Sequence, residues 1–189
     1  MAKSGQAIEN PLTGERITWL RTAADSAGEA LEFDLSLGAG AAVSAEHRHV
    51  RQVEQFSVLS GSLRVIVEGR ESDLQVGDEL TIPVGVAHSW RNVTQTEAQI
   101  RVTLRPALDT ETFFETLFGL ARDGKANKKG IPDLPQIAVA YRELGDSCPR
   151  LTRPPRAVQD AVFALLAPVG RLLGRRGVYA RYSPGHPKA

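Results

Sequence analysis

Between residues 31 and 105 the chain is cut into short β-type segments, and this rhythm constrains the fold more than any other feature. Leu31, Phe33, Leu35 and Leu37 alternate with Glu32, Asp34 and Ser36. A period of two is the pattern of a strand with one buried face. Gly38 and Gly40 end that run. Further strand candidates fall at 53–60, 62–68, 72–76, 79–82, 86–93 and 97–105, with an earlier one at 16–20. Ser60-Gly61, Asp73, Gly77-Asp78, Pro83 and Gly85 lie at or near the breaks. Many short strands at close spacing predict an all-β sandwich or barrel.

The pattern changes after Pro106. Phe113, Phe114, Leu117, Phe118 and Ala121 recur at helical spacing behind Asp109-Thr110, a plausible helix start. A second helix is expected over 135–144. A third apolar periodic stretch runs from Val158 to Leu173 behind Pro154-Pro155, and Pro168 inside it should kink or break it. Residues 175–189 are rich in Arg, Gly and Pro and are expected to fray, with His186 in solvent. The layout is therefore a lead-in over 1–15, a β domain over 16–106 and a helical extension over 107–189. The extension has too little core to stand alone and should cover a face of the β domain or a subunit boundary.

Charge is uneven along the chain. Residues 149–189 hold eight basic side chains and one acid, Asp160, whereas residues 1–148 hold 15 basic and 21 acidic ones. The first expectation is that the tail packs on an acidic face of its own chain or of a partner subunit. The sharper alternative is a patch for an anionic surface. Val158–Leu173 with Arg171, Arg175 and Arg176 would then be a peripheral membrane helix, a weaker expectation than a core or dimer helix. No helix-turn-helix or zinc-finger pattern supports nucleic-acid binding. A single cysteine, Cys148, cannot form an internal disulfide. The first 20 residues lack the apolar stretch of a signal peptide, and no run of 18 apolar residues exists. A cytoplasmic protein is the expectation.

Three of the four histidines fall in two short segments. The first runs His47-Arg48-His49, then Glu54, then Gly61; the second runs Gly77, Pro83-Val84-Gly85, His88, Asn92. Imidazole and carboxylate suit borderline divalent metals. Residues i and i+2 of a strand share a face, so His47 and His49 aim into one cavity. Glu54, Phe56 and Val58 share a face on the next strand, as do His88, Trp90 and Asn92 on a later one. If those faces turn inward, His47, His49, Glu54 and His88 meet around one ion, with Phe56, Val58 and Trp90 as an apolar wall. Asn92 reads as a residue that satisfies backbone groups. Arg101 or Arg105 is a candidate carboxylate clamp for a substrate.

Both segments resemble the two signature motifs of the cupin superfamily. The second matches throughout, at Gly77, Pro83, Gly85, His88 and Asn92. The first matches from His47 and His49 through Glu54 to Gly61 and departs upstream, where Gly40 lies one residue farther from His47 than is usual. The resemblance covers about residues 30–106. It implies a double-stranded β-helix (jelly-roll) barrel with an α-helical C-terminal extension. It further implies one divalent ion (Fe, Mn, Ni or Zn) and a homodimer that takes a small-molecule ligand or substrate.

The motifs say less about the reaction. Between residues 4 and 124 there is no lysine, tyrosine or cysteine, so the β domain offers no Schiff-base amine, phenol or thiol. The reading that follows from the resemblance is a metal-dependent dioxygenase acting on an enol, diketone or flavonoid, with Glu54 as base. Two alternatives stay open: isomerase, cyclase or lyase chemistry with the ion as a Lewis acid, and a ligand-binding protein without turnover.

Overall fold

The computed structural model describes residues 2–187, and for 42–44 only their backbone. Among the described residues eleven strands make two antiparallel sheets. The first has β1 (Ala7–Glu9), β2 (Arg16–Arg21), β3 (Leu31–Leu37), β10 (Ala98–Arg105), β5 (Val53–Ser60) and β8 (Glu79–Ile82), side by side in that order. The second has β11 (Arg150–Leu151), β4 (Ala42–Arg48), β9 (His88–Asn92), β6 (Ser62–Val67) and β7 (Arg70–Gln75). The sheets remain open at their edges, so the expected barrel is a two-sheet jelly roll and not a closed cylinder.

Strand register explains why the alternating residues were readable. Val102 of β10 lies between Phe33 of β3 and Phe56 of β5, and Ile100 lies between Leu35 and Val58. All six face the core that both sheets share. On the second sheet Val65 pairs with Trp90 and Leu63 with Asn92. Gly61 turns β5 into β6 at φ +77°, and a Cβ there would lie 2.7 Å from the Ala98 Cβ. Only glycine meets both demands.

Asn92 has the backbone-satisfying role expected of it. Its amide donates to the carbonyls of Leu37, Gly38 and Thr96, and its carbonyl accepts from the Thr94 N–H and hydroxyl. It thereby fastens the β3–β4 turn to the β9–β10 turn.

Three helices follow: α1 (Thr110–Arg122), α2 (Leu134–Leu144) and α3 (Arg156–Leu172). Helix α1 lays Phe114, Leu117 and Phe118 against the β core, with Phe114 in contact with the rings of Trp19 and Phe33. Helices α2 and α3 pack on each other through Ala138, Val139, Phe163 and Ala167. The extension therefore covers one face of the β domain through α1 and builds only a small core of its own.

Several local expectations are corrected. Residues 7–9, read as part of a polar lead-in, pair with β2 as β1. The segment 42–48, not marked as a strand, forms β4, whose register slips between Val43 and His47. That irregularity breaks the clean alternation by which a strand is recognised. Pro168 does not end α3. It lies on the exposed side, as does Ala164, whose carbonyl loses its helical donor there and can take water instead. The C-terminal tail does not fray within the described residues. Val178, Tyr182, Ser183 and His186 are buried, Tyr182 sits over Gly119 of α1, and Ser183 hydrogen-bonds Glu115. His186 lies 3.4 Å from Asp109 instead of in solvent. The Tyr179 and Tyr182 rings meet at a tilt of 53° with centroids 5.2 Å apart, and Arg181 lies over the Tyr182 ring. These aromatic anchors outweigh the Arg- and Gly-rich composition of the segment.

Candidate metal centre

The four candidate ligands meet at one end of the sandwich because the register aligns them there. On the first sheet Leu104 of β10 pairs with Leu31 on one side and Glu54 on the other, and Glu54 pairs in turn with Ile82. Glu54 therefore stands in a row of aliphatic core residues. On the second sheet His88 pairs with both His47 and Val67. His49 follows the end of β4 by one residue. One ligand atom from each of His47, His49, Glu54 and His88 lies within 4.8 Å of those of the other three. All four residues are buried, His88 completely.

Hydrogen bonds on the outer side of each imidazole fix which nitrogen faces inward. His47 Nδ1 donates to the Ala45 carbonyl at 3.0 Å, and His88 Nδ1 donates to the Val86 carbonyl at 3.1 Å. A carbonyl only accepts, so each Nδ1 carries the proton and Nε2 is left as the ligand atom. His49 Nδ1 faces the Gln52 Oε1 at 3.2 Å. The Gln52 amide is oriented unambiguously, because its Nε2 donates to the Pro106 and Ala107 carbonyls and to the Thr110 hydroxyl.

Inside the cluster Glu54 Oε2 lies 2.7 Å from His88 Nε2 and 3.4 Å from His49 Nε2. Burial alone would raise the Glu54 pKa, but the charge and hydrogen bonds of His49 and His88 hold it well below the usual carboxylate range. Burial opposes charge on His88, yet its hydrogen bond and charge interaction with Glu54 raise its pKa. His47 is pushed down to about 4, first by burial and then by the positive charge of His88. An anionic oxygen and three imidazoles with their outer nitrogens satisfied make a donor set that fits one divalent ion. In its absence a proton on His88 bridges to Glu54.

This proton sets a pH dependence. The raised His88 pKa gives the metal-free protein a stabilising contribution that is full below the unfolded histidine value and lost as pH rises through the folded one. A divalent ion must displace the same proton, so its affinity should climb as pH rises from about 5.5 through and beyond the ordinary histidine value near 6.5. The increase in Tm on adding the ion, followed across that range, should grow with pH. A flat or falling increment would exclude proton displacement from His88.

Gln52 went unrecognised in the sequence, although parity with Glu54, Phe56 and Val58 places it on the inward face. It is fully buried and ties His49 to the start of α1. We expect Gln52→Ala to weaken ion binding about 10- to 100-fold, the usual cost of losing an outer-shell partner. Titration calorimetry against the unaltered protein checks this, and equal affinities would contradict it.

The proposed pocket wall is only partly assembled. Phe56 contacts the rings of both His88 and Trp90 at 6.3 Å between centroids. Val58 is buried one step farther along β5, in the shared core. Arg101 is not brought to the site. Its neighbours Ile100 and Val102 face the core, so it points outward, where Asp34 holds it at 2.9 and 3.2 Å. A clamp role for Arg101 on a substrate does not fit this placement. Arg105, the other candidate, is exposed at the end of β10.

The profile of the family described as "Cupin domain" matches residues 33–104. No curated protein matches the chain. Among solved structures, an RmlC-like cupin from Shewanella frigidimarina is 24% identical with a TM-score of 0.46, over 57% of this chain and 90% of that one. A predicted oxalate decarboxylase from Thermotoga maritima is 20% identical with a TM-score of 0.48, over 55% and 92%. A sugar phosphate isomerase of the cupin superfamily from Silicibacter pomeroyi is 23% identical with a TM-score of 0.46, over 54% and 71%.

Proposed function

Residues 33–104 are a cupin domain, and from that premise we propose that the chain is a metal-dependent enzyme of the dioxygenase type, acting on a small enol, diketone or flavonoid. The supporting observation is the Glu54 carboxylate, enclosed with three imidazoles whose outer nitrogens are all occupied. When bound, the ion supplies a Lewis acid for an enol oxygen and a place for dioxygen chemistry.

The protein's own groups divide the remaining tasks. His47 and His88 are held by backbone carbonyls and His49 by Gln52, so the imidazoles keep their orientation through a reaction. Glu54 Oε2 is the base that takes the substrate's enol or α-carbon proton, the role that the cupin resemblance implies for it. Phe56 and Trp90 exclude water beside it and favour a flat, apolar substrate.

Dioxygen uptake by iron-loaded protein, measured with a panel of flavonols and β-diketones, tests this reading. Consumption of dioxygen that requires the ion and disappears in Glu54→Gln is the expected result. Product without dioxygen consumption would replace it with the non-redox isomerase, cyclase or lyase reading. Saturable binding without product would leave a ligand-binding protein.

A further inference from the structure

Helix α3 buries one side against α2 through Phe163, Ala167 and Gly170, with Gln159 beside them. Its opposite side has no cover. Val158, Ala161, Leu165, Pro168, Val169 and Leu172 are all exposed, Leu165 by 74% and Leu172 by 89%. At about 100° per residue these six fall within one arc of the helix. From Ala161 to Gly170 there is no polar side chain at all. Isolated exposed leucines are ordinary, but a continuous apolar strip marks a contact surface.

Charge identifies the occupant. Arg153 and Arg156 lie ahead of the strip and Arg171, Arg175 and Arg176 behind it, while Asp160 is the only acid from residue 149 onward. Arg156 meets Asp160, Arg171 meets Glu143 and Arg175 meets Asp133. Arg153 and Arg176 meet no carboxylate among the described residues. A second copy of α3 would bring arginines against arginines in either orientation. Its contact would also be small, a strip about 25 Å long and 10 Å wide against the roughly 800 Å² per partner of a stable dimer. An anionic headgroup layer matches both the apolar strip and the positive ends. Among the described residues no helix is long and apolar enough to cross a membrane.

We propose that the exposed face of α3 is a docking surface for an anionic phospholipid bilayer, with the helix lying in the interface plane. Arg153 and Arg176, the two arginines that meet no carboxylate among the described residues, reach the headgroups while Leu165 and Leu172 enter the acyl boundary. Nothing in this arrangement depends on an ion in the β domain.

Sedimentation of the full chain with phosphatidylglycerol–phosphatidylcholine vesicles, and with phosphatidylcholine alone, tests it. Binding should appear with the anionic mixture, weaken as salt is added, and be far weaker with phosphatidylcholine alone. Leu165→Glu/Leu172→Glu should reduce it at least tenfold with an unchanged circular dichroism spectrum, since both side chains are already in solvent. As a second readout, tryptophan emission of Leu172→Trp should shift to the blue on anionic vesicles and not on neutral ones. No binding to anionic vesicles overturns the proposal. So does binding that the double glutamate variant retains, an absent emission shift, or a concentration-dependent dimer that Leu172→Glu dissolves.

Discussion

A His88→Ala protein is expected to fold and to lose stoichiometric uptake of a divalent ion. His88 is the most enclosed member of the cluster, with its ring 4.4 Å from that of His47 and its Nε2 2.7 Å from Glu54. Its removal takes away one donor of four, and among the described residues no further His, Cys, Asp or Glu joins the cluster to replace it. The loss in affinity should exceed the roughly 10- to 100-fold that follows loss of an outer-shell partner. The same change takes the 2.7 Å partner from the Glu54 carboxylate, which is left between Leu104 and Ile82 with the more distant His49 Nε2 at 3.4 Å. Breaking such a buried pair costs up to about 3–5 kcal/mol in the metal-free protein, out of a typical total of about 5–15 kcal/mol. Adding Glu54→Gln should therefore restore part of the lost stability without restoring ion uptake. Calorimetric titration with the ion and denaturant unfolding without it separate the two effects. Unchanged ion affinity in a folded His88→Ala protein would remove His88 from the site.

The largest effect on folding is expected from Trp19→Ala. Trp19 is fully buried, meets Phe33 edge-on at 5.5 Å and lies 6.5 Å from Phe114 of α1. It therefore joins its own strand β2 and the neighbouring β3 to α1, the first helix of the extension, far away in sequence. Truncating a buried aromatic residue costs about 3–5 kcal/mol. For a chain of this length the fall in Tm should be about 6–20 °C. Ion uptake well below the transition should persist, because Trp19 touches none of the four ligands. A loss under about 1 kcal/mol would mean that α1 is not seated on the β core as described.

The ligand residues and most strands were legible because one physical rule governs both. A period of two states which side chains share a face, and burial of that face turns a spacing into a convergence. This is why His47, Glu54 and His88 could be brought together from residue numbers, and why Phe56 and Trp90 follow them. The rule fails where the backbone departs from it. The slip between Val43 and His47 obscured β4, and the short β1 is too brief for a period to register. On β10 the apolar row of Ile100, Val102 and Leu104 marks the inward face and sets Arg101 and Arg105 opposite it, so a clamp at the site runs against the strand's own alternation. Arg101 follows the outward row, where Asp34 and Glu32 already neutralise it.

Distance along the chain hid the rest. The Gln52–Thr110 hydrogen bond joins a strand start to a helix start 58 residues away, and no local pattern announces it. The tail from Val178 to His186 was misread because composition weighs arginine and glycine equally wherever they stand. In the fold, Gly119 opens a seat for Tyr182, and α1 carries Glu115 where Ser183 can reach it. For α3 the sequence displayed its apolar periodicity clearly but could not tell a buried stripe from an exposed one.

The central claim is that His47, His49, Glu54 and His88 hold one ion together. X-ray absorption at the cobalt edge, on protein loaded with cobalt(II) and freed of excess, addresses it most directly. One ion per chain is expected, with a first shell of nitrogen and oxygen at about 2.0–2.2 Å and outer-shell scattering from three imidazole rings. One ion per chain without imidazole scattering, or no retained ion at neutral pH, would contradict it.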